Sequence, residues 1–290
     1  MIIDSHCHLE SENPPEKMIK TMDADGVDKV VLFAATCETL PKIPKGLLWF
    51  GRMLLQTPLA PIAVKIYEDA VTSKPGKIKI SGDFKKIYME PDNKPVLDVI
   101  SKYPDRFIGF VFINPTGSYN VMEEFETCIA NPLIKGVKVH TWFHNYSPAE
   151  NLHKIAEICS EKGLPMLMHQ GSRKDTADIM PLLSSFPKLK LILAHLGIPW
   201  FKRSFDLAKT NPNVYLDISG PYLSASIIQK AVKKVGASKL IYGTDAPYGL
   251  RTSVKGELSY KESLSWVTDL NIPKSEKEMI LAKNLLSLLP

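Results

Sequence analysis

Ile2-Ile3-Asp4-Ser5-His6-Cys7-His8 decides how the rest of the sequence is read. Two apolar residues open a short run that closes on two histidines one residue apart. In a β-strand, side chains alternate between faces, so Asp4, His6 and His8 share one face and Ile3, Ser5 and Cys7 the other. Two imidazoles side by side at a strand end make half of a metal site, because imidazole is a favoured ligand for zinc and its neighbours. A bare His-x-His is also common on surfaces and in loops. The reading depends on whether the chain supplies further ligands in matching places.

Outward from this run, strand-like and helix-like stretches alternate. Pro14-Pro15-Glu16 opens a helix that carries Met18, Ile19 and Met22, and Gly26 ends it. Val27 to Ala35 is a continuous apolar run of the kind a buried parallel strand shows. The alternation resumes at Pro95–Lys102 (helix), Phe107–Ile113 (strand), Tyr119–Ile129 (helix) and Ile134–His140 (strand). Ser147-Pro148-Ala149-Glu150 has the form of a helix start, with a Ser N-cap, and the helix runs to Lys162 before Gly163. Further strands are expected at Pro165–His169, Leu189–Ala194, Val214–Ile218 and Leu240–Gly243. Helices are expected at Thr176–Ser185, Phe201–Lys209, Ala225–Val235, Tyr260–Asp269 and Ser275–Leu288. Eight strands alternating with helices over 290 residues predict an α/β fold, a distorted (β/α)₈ TIM barrel occupying the whole chain, 1–290. A doubly wound open sheet is the alternative, and the missing glycine-rich dinucleotide loop counts against its commonest form.

Residues 37–93 break the rhythm. The segment is irregular and rich in Pro, Lys and Gly, and is too long for an ordinary connection. It reads as an insertion after the second strand, a cap or a subunit contact. Lys77-Ile78-Lys79-Ile80 alternates and predicts a short strand. Gly46 to Tyr67 is the most apolar region, but Arg52, Gln56, Pro58, Pro61 and Lys65 interrupt it too often for a membrane span. A helix-loop element buried against the body or a second subunit is expected, and with it a homo-oligomer.

Composition narrows the partners. The hydrophobic fraction is 44%, the charged fraction 23% and the net charge +5 without any block of like charge. That favours a small, anionic substrate over nucleic acid, and no membrane association is expected. Cys7, Cys37, Cys128 and Cys159 are scattered with no Cys-x-x-Cys, so a reducing compartment is expected. With no secretory signal pattern, the cytoplasm is the natural location.

The chemistry gathers at strand ends. His6 and His8 close the first strand, His140 the fourth, His169 the fifth and His195 the sixth. Asp245 follows the eighth in Tyr242-Gly243-Thr244-Asp245. In a parallel barrel all strand C-termini converge on one face. A lone histidine is more often a satisfied structural one, but five imidazoles and a carboxylate at one end are not explained that way. His6, His8, His169 and Asp245 offer N and O ligands for one divalent metal, Zn²⁺ first, with Mn²⁺ or Fe²⁺ as alternatives. Asp245 could also accept a proton from a metal-activated water, and His195 could orient the substrate or act as acid or base. Lys138 should point into the barrel. It could bind a substrate carboxylate, bridge a second metal after carboxylation, or pair with Asp245. His140 and Arg251 are further candidates for substrate binding. His144 and His153 fall in a loop and on a helix, and no role is expected of either.

Six ordered motifs now resemble a known family. They are Ile3-Asp4-Ser5-His6-Cys7-His8, Lys135-Gly136-Val137-Lys138-Val139-His140, Pro165-Met166-Leu167-Met168-His169-Gln170-Gly171, Leu193-Ala194-His195-Leu196-Gly197, Asn213-Val214-Tyr215-Leu216-Asp217-Ile218-Ser219 and Gly243-Thr244-Asp245-Ala246-Pro247. This order is similar to the amidohydrolase superfamily, in its amidohydrolase-2 branch of decarboxylases, hydratases and lactonases. The resemblance implies a distorted barrel, metal binding through His6, His8, His169 and Asp245, and a catalytic His195. The leading expectation is a hydrolase of a small amide, ester or lactone. A decarboxylase or hydratase of an aromatic or unsaturated carboxylic acid is the alternative, since both need the same metal cage. A barrel nuclease is disfavoured by the lack of a basic track. A binding protein on a degraded barrel is disfavoured because every metal position is filled.

Overall fold

Eight parallel strands carry the fold in the order the sequence predicts. A computed structural model describes residues 1–41, 45–71, 76–80, 82–250 and 258–290. Strands β1 (Ile3–Leu9) and β2 (Lys29–Ala34) come first, and a separate antiparallel hairpin, β3 (Lys77–Ile80) and β4 (Asp83–Lys86), follows. The main sheet resumes with β5 (Phe107–Phe112), β6 (Ile134–His140), β7 (Met166–His169), β8 (Leu191–Leu193), β9 (Val214–Asp217) and β10 (Leu240–Ile241). Its order is β1-β2-β5-β6-β7-β8-β9-β10. The last strand returns to the first, because the Ser5 N–H donates to the Tyr242 carbonyl at 3.0 Å and Cys7 bridges Ala246 in parallel. The result is a nearly closed (β/α)₈ barrel.

Strand sequence explains this closure. Val30, Val31, Leu32 and Phe33 are fully buried, as a parallel strand covered on both faces requires. The simple alternation expected in β1 does not run through, because its ladder with β2 shifts register between Asp4 and Cys7. Helix α1 (Pro15–Asp25) ends as its sequence says, with Gly26 in the left-handed conformation at φ 74°.

Two expected helices are broken. The Ser147–Lys162 stretch forms Pro148–Asn151 and His153–Lys162, separated at Leu152, and the Ser147 side chain makes no capping bond. The Thr176–Ser185 stretch divides into Lys174–Ala177 and Met180–Ser185 around extended Asp178. In the last helix, Met279–Lys283 winds as a π-turn, and its Ile280 carbonyl accepts the Tyr242 N–H at 2.8 Å. That local rewinding secures the terminal helix to the barrel edge.

The segment from 37 to 93 is more regular than expected. It contains α2 (Lys45–Leu54), α3 (Ala60–Val71) and the β3–β4 hairpin, so the Lys77–Ile80 strand forms. Local apolar spacing outweighed the proline and glycine content, because Pro58 and Pro61 fall before α3 and in its first turn, where a missing N–H costs nothing. Cys37, Ile78 and Ile87 make a small separate core that packs on Trp142 and Phe143. Among the described residues no helix is long and apolar enough to cross a membrane. All four cysteines are free and buried.

Candidate active site

The C-terminal ends of the strands place the histidines together, as parallel topology dictates. His6 lies at the centre. Its Nδ1 donates to Asp217 Oδ2 at 2.6 Å, which leaves a lone pair on Nε2. That Nε2 faces Lys138 Nζ at 3.1 Å and Asp245 Oδ1 at 3.3 Å. His8 is fixed the same way, with Nδ1 3.1 Å from the Ala34 carbonyl and 3.1 Å from Thr36 Oγ1. Its Nε2 approaches Asp245 Oδ1 at 3.5 Å. Both imidazoles therefore present lone pairs toward the same carboxylate.

On the other side, His140 and His169 are register partners in β6 and β7, and their rings stack at 4.0 Å. His140 Nδ1 accepts the Phe143 N–H at 3.1 Å, so its own proton sits on Nε2. His169 Nδ1 lies 3.1 Å from His195 Nε2. His195 in turn sets Nδ1 3.1 Å from the Ser219 carbonyl and 2.9 Å from Ser219 Oγ. One ligand atom from each of His6, His195 and Asp245 lies within 4.8 Å of the other two. This grouping includes His195, which the sequence reading set near the metal but outside its ligands. Lys138 makes no ion pair with Asp245; it contacts His6 and lies over the Phe33 ring, 5.0 Å from its centroid. Arg251 lies outside the described residues.

Strain marks the same place. His195 (φ 56°) and Asp245 (φ 61°) both adopt the left-handed region, which costs about 1–3 kcal/mol each for residues with a Cβ. The surroundings hold them there. The His195 N–H donates to Asp217 Oδ1 at 2.8 Å, and the Asp245 N–H donates to the His6 carbonyl at 2.8 Å. Gly220 (φ 95°) allows the approach, since a Cβ there would lie 2.7 Å from His195 Nδ1.

Electrostatics follow from burial. Desolvation, then the nearby Lys138 charge, lowers His6 well below its ordinary value and His8 to about 3. Burial likewise lowers His140 and His169. Neutral imidazoles are what a metal ion requires. Burial raises Asp245 to about 6 against the opposing pull of His195 and Lys138. Burial also acts upward on Asp217, but His6, His195 and Ser219 outweigh it and hold the carboxyl well below its usual range. Lys138 is lowered to about 8 by burial, with Asp245 and Asp217 opposing.

These residues fit a divalent cation. The lone pairs of His8 Nε2 and Asp245 Oδ1 face each other across 3.5 Å, and unprotonated acceptors in such contact call for a shared positive charge. The carboxylate on His6 Nδ1 is the partner a metal-bound histidine commonly has. Asp217 was missed as a functional residue at the sequence level. Its signal was present, since an acid closes the apolar run Val214-Tyr215-Leu216 as Asp245 follows the eighth strand.

A barrel with imidazoles and a carboxylate converging at its mouth is the architecture of metal-dependent barrel enzymes. An amidohydrolase family model, the amidohydrolase-2 type, matches residues 82–289, and the chain belongs to that family. The match does not reach His6 and His8. A curated relative, protein fluG of Emericella nidulans, is 22% identical over 156 residues. That stretch is 49% of this chain and 18% of the relative, so the chain spans about a fifth of that protein. Among solved structures, an uncharacterised TIM-barrel protein from Bordetella bronchiseptica has 18% identity and a TM-score of 0.65, covering 99% of this chain and 97% of its own. The 4-oxalomesaconate hydratase of Rhodopseudomonas palustris has 14% identity and a TM-score of 0.63, covering 100% and 96%. Similar folds include a Polaromonas dihydroxybenzoic acid decarboxylase with bound manganese (14% identity, TM-score 0.59, covering 99% and 96%). A probable 2-pyrone-4,6-dicarboxylic acid hydrolase from Acinetobacter baumannii has 17% identity and a TM-score of 0.60, covering 99% and 98%.

Proposed function

We propose that the chain is a metal-dependent hydrolase of a small anionic amide, ester or lactone. The facing acceptors of His8 and Asp245, beside His6 Nε2, carry this reading. His6, His8, His169 and Asp245 would hold one divalent cation, Zn²⁺ first for its preference for such N and O donors, with Mn²⁺ or Fe²⁺ as alternatives. When bound, the cation supplies a Lewis acid and brings the pKa of a water toward neutrality. Asp245 takes a proton at its free carboxylate oxygen, a role suited to a carboxyl raised to about 6. His195 Nε2 orients the scissile group. His140 donates its Nε2 proton to the substrate, and Lys138 and Arg251 attract its negative charge. A second metal through carboxylated Lys138 is the lesser arrangement. The segment 37–93 caps this mouth. Four unpaired cysteines support a cytoplasmic location.

A lyase is the second reading, with its own support. Trp142 lies 5.9 Å from His169, and Phe143 stacks on His140 at 4.4 Å, which gives the mouth an aromatic wall. Such a wall suits a planar aromatic or unsaturated acid that loses carbon dioxide or gains water. The solved relatives named above include a hydratase, a decarboxylase and a hydrolase, all of carboxylic acids. The metal-loaded protein should be offered parallel panels of lactones and aromatic acids, with ring-opening or acid release followed against carbon dioxide release. Lactone turnover supports the hydrolase, and carbon dioxide release or hydration supports the lyase. No turnover in either panel with metal bound counts against both.

A further inference from the structure

Helices α2 and α3 turn one side toward the barrel and the other to solvent. On the inner side, Arg52 Nε donates to the Pro221 carbonyl at 3.0 Å, and Gly51 lies against the Tyr222 ring. Glu68 accepts the Ser172 N–H at 2.9 Å, and Tyr67 meets Trp142 at 6.5 Å. These contacts fall on the loops after β6, β7 and β9. The outer side is apolar. Leu47, Trp49, Phe50 and Met53 of α2 are exposed, and so are Ile62 and Ile66 of α3, which edge a groove shared with Ser172 and Trp200; Trp49 and Ile66 are exposed by about two-thirds (66% and 65%).

Size separates this face from ordinary surface. With Leu59, also exposed, it amounts to on the order of 800 Å² of apolar area. The largest patch on a typical monomer is about 300–600 Å². A stable interface buries about 800 Å² per partner.

We propose that this face is the contact with a second copy of the same chain, paired across a two-fold axis. Charge favours that occupant over a lipid surface. On α2 and α3 themselves, Arg52 is taken up by the Pro221 carbonyl and Lys65 by Asp69, so neither is free for an anionic bilayer. Lys65 and Asp69 sit one turn apart on exposed α3, 2.6 Å from each other within the chain. In an antiparallel two-fold pairing, residue i meets j and j meets i, so Lys65 of each copy faces Asp69 of the other. The face is self-complementary in charge as well as apolar. Because the inner side of the same helices rests on the mouth loops, the partner's weight falls behind the elements that border the site.

Sedimentation equilibrium of the purified full chain tests this without reference to catalysis. The expected mass is twice the 32.4 kDa of the chain. Trp49→Glu and Ile66→Glu should each weaken association by at least about tenfold, with an unchanged far-ultraviolet circular dichroism spectrum. Met180→Glu, at an exposed apolar residue elsewhere, should leave it unchanged. Lys65→Glu should weaken it at a residue too exposed to disturb folding, and Lys65→Glu with Asp69→Lys should restore it. A wild-type chain that stays monomeric at every concentration overturns the proposal. So does a dimer that all these variants leave intact, a failure of the double swap to restore pairing, or co-sedimentation of a monomeric chain with phosphatidylcholine–phosphatidylserine vesicles.

Discussion

The barrel floor and the helical segment above it are built on different principles. On the floor, each key side chain has its second atom tied down: His6 by Asp217, His8 by Ala34, His195 by Ser219. Those anchors are buried and come from strands or strand ends. In the segment of α2 and α3, a few side-chain contacts hold two helices whose other faces remain apolar and exposed. A floor built this way keeps its geometry whether or not a ligand is present. The segment above it depends on what it touches. Floor substitutions should therefore change chemistry with little change in assembly, and segment substitutions should do the reverse.

The largest effect should come from the centre of the floor. His6→Ala removes an imidazole that faces both Lys138 and Asp245. Metal content after purification should collapse, and turnover should fall by at least about a thousandfold, the loss of several kcal/mol of charge stabilisation. A variant that keeps stoichiometric metal would break the contrast at once. Asp217→Asn is subtler, since it leaves the His6 ring in place but takes away the negative charge on Nδ1. Metal affinity should drop by about 10–100-fold, as measured by competition with a chelator. Lys138→Met should lower kcat/KM by roughly tenfold with metal content unchanged, if the ammonium serves the substrate. Loss of metal together with a mass signal for a carboxylated wild-type lysine would instead assign Lys138 to a bridge.

Much of the floor was legible because a parallel barrel converts one-dimensional position into three-dimensional place. A histidine at the end of an apolar run must arrive at the mouth, so His6, His8, His140, His169 and His195 could be gathered without any contact information. Ile134–His140 is the same strand in sequence and structure. What spacing could not supply was orientation. It did not say that His140 spends Nδ1 on the Phe143 N–H, or that His195 comes within 4.8 Å of the His6 and Asp245 ligand atoms. Those depend on left-handed turns at His195 and Asp245 that no local propensity announces. His144 shows the same limit. Its loop position gave it no part, yet it is buried with Nε2 3.1 Å from the Tyr88 carbonyl, a structural link between the mouth and the 37–93 segment. That segment read as irregular because its helices are held by loops distant in sequence, and its exposed apolar face cancels the polar signal expected of a surface helix.

The smallest expected effect lies at the joint between the two regions. Glu68 of α3 accepts hydrogen bonds from the Ser172 N–H and hydroxyl, and burial raises its carboxyl to about 7, with Ser172 opposing that shift and Asp69 adding to it. The folded chain thus binds this proton more tightly than an unfolded chain, whose glutamate titrates near 4.5. Stability from this group is fully present below the unfolded value and is lost as pH rises through about 4.5 to about 7. Glu68→Gln removes the titration and keeps a hydrogen-bonding side chain of the same length. The difference in melting temperature between variant and wild type should therefore grow in favour of the variant between about pH 5 and about pH 8. The cost relieved is on the order of 1–3 kcal/mol, and each kcal/mol moves the melting temperature by roughly 2–4 °C in a chain of this size class. Metal content should stay the same in both proteins, because Glu68 touches the Ser172 loop and none of the histidines. If the two melting curves keep a constant separation across that range, the Glu68 carboxyl does not titrate there.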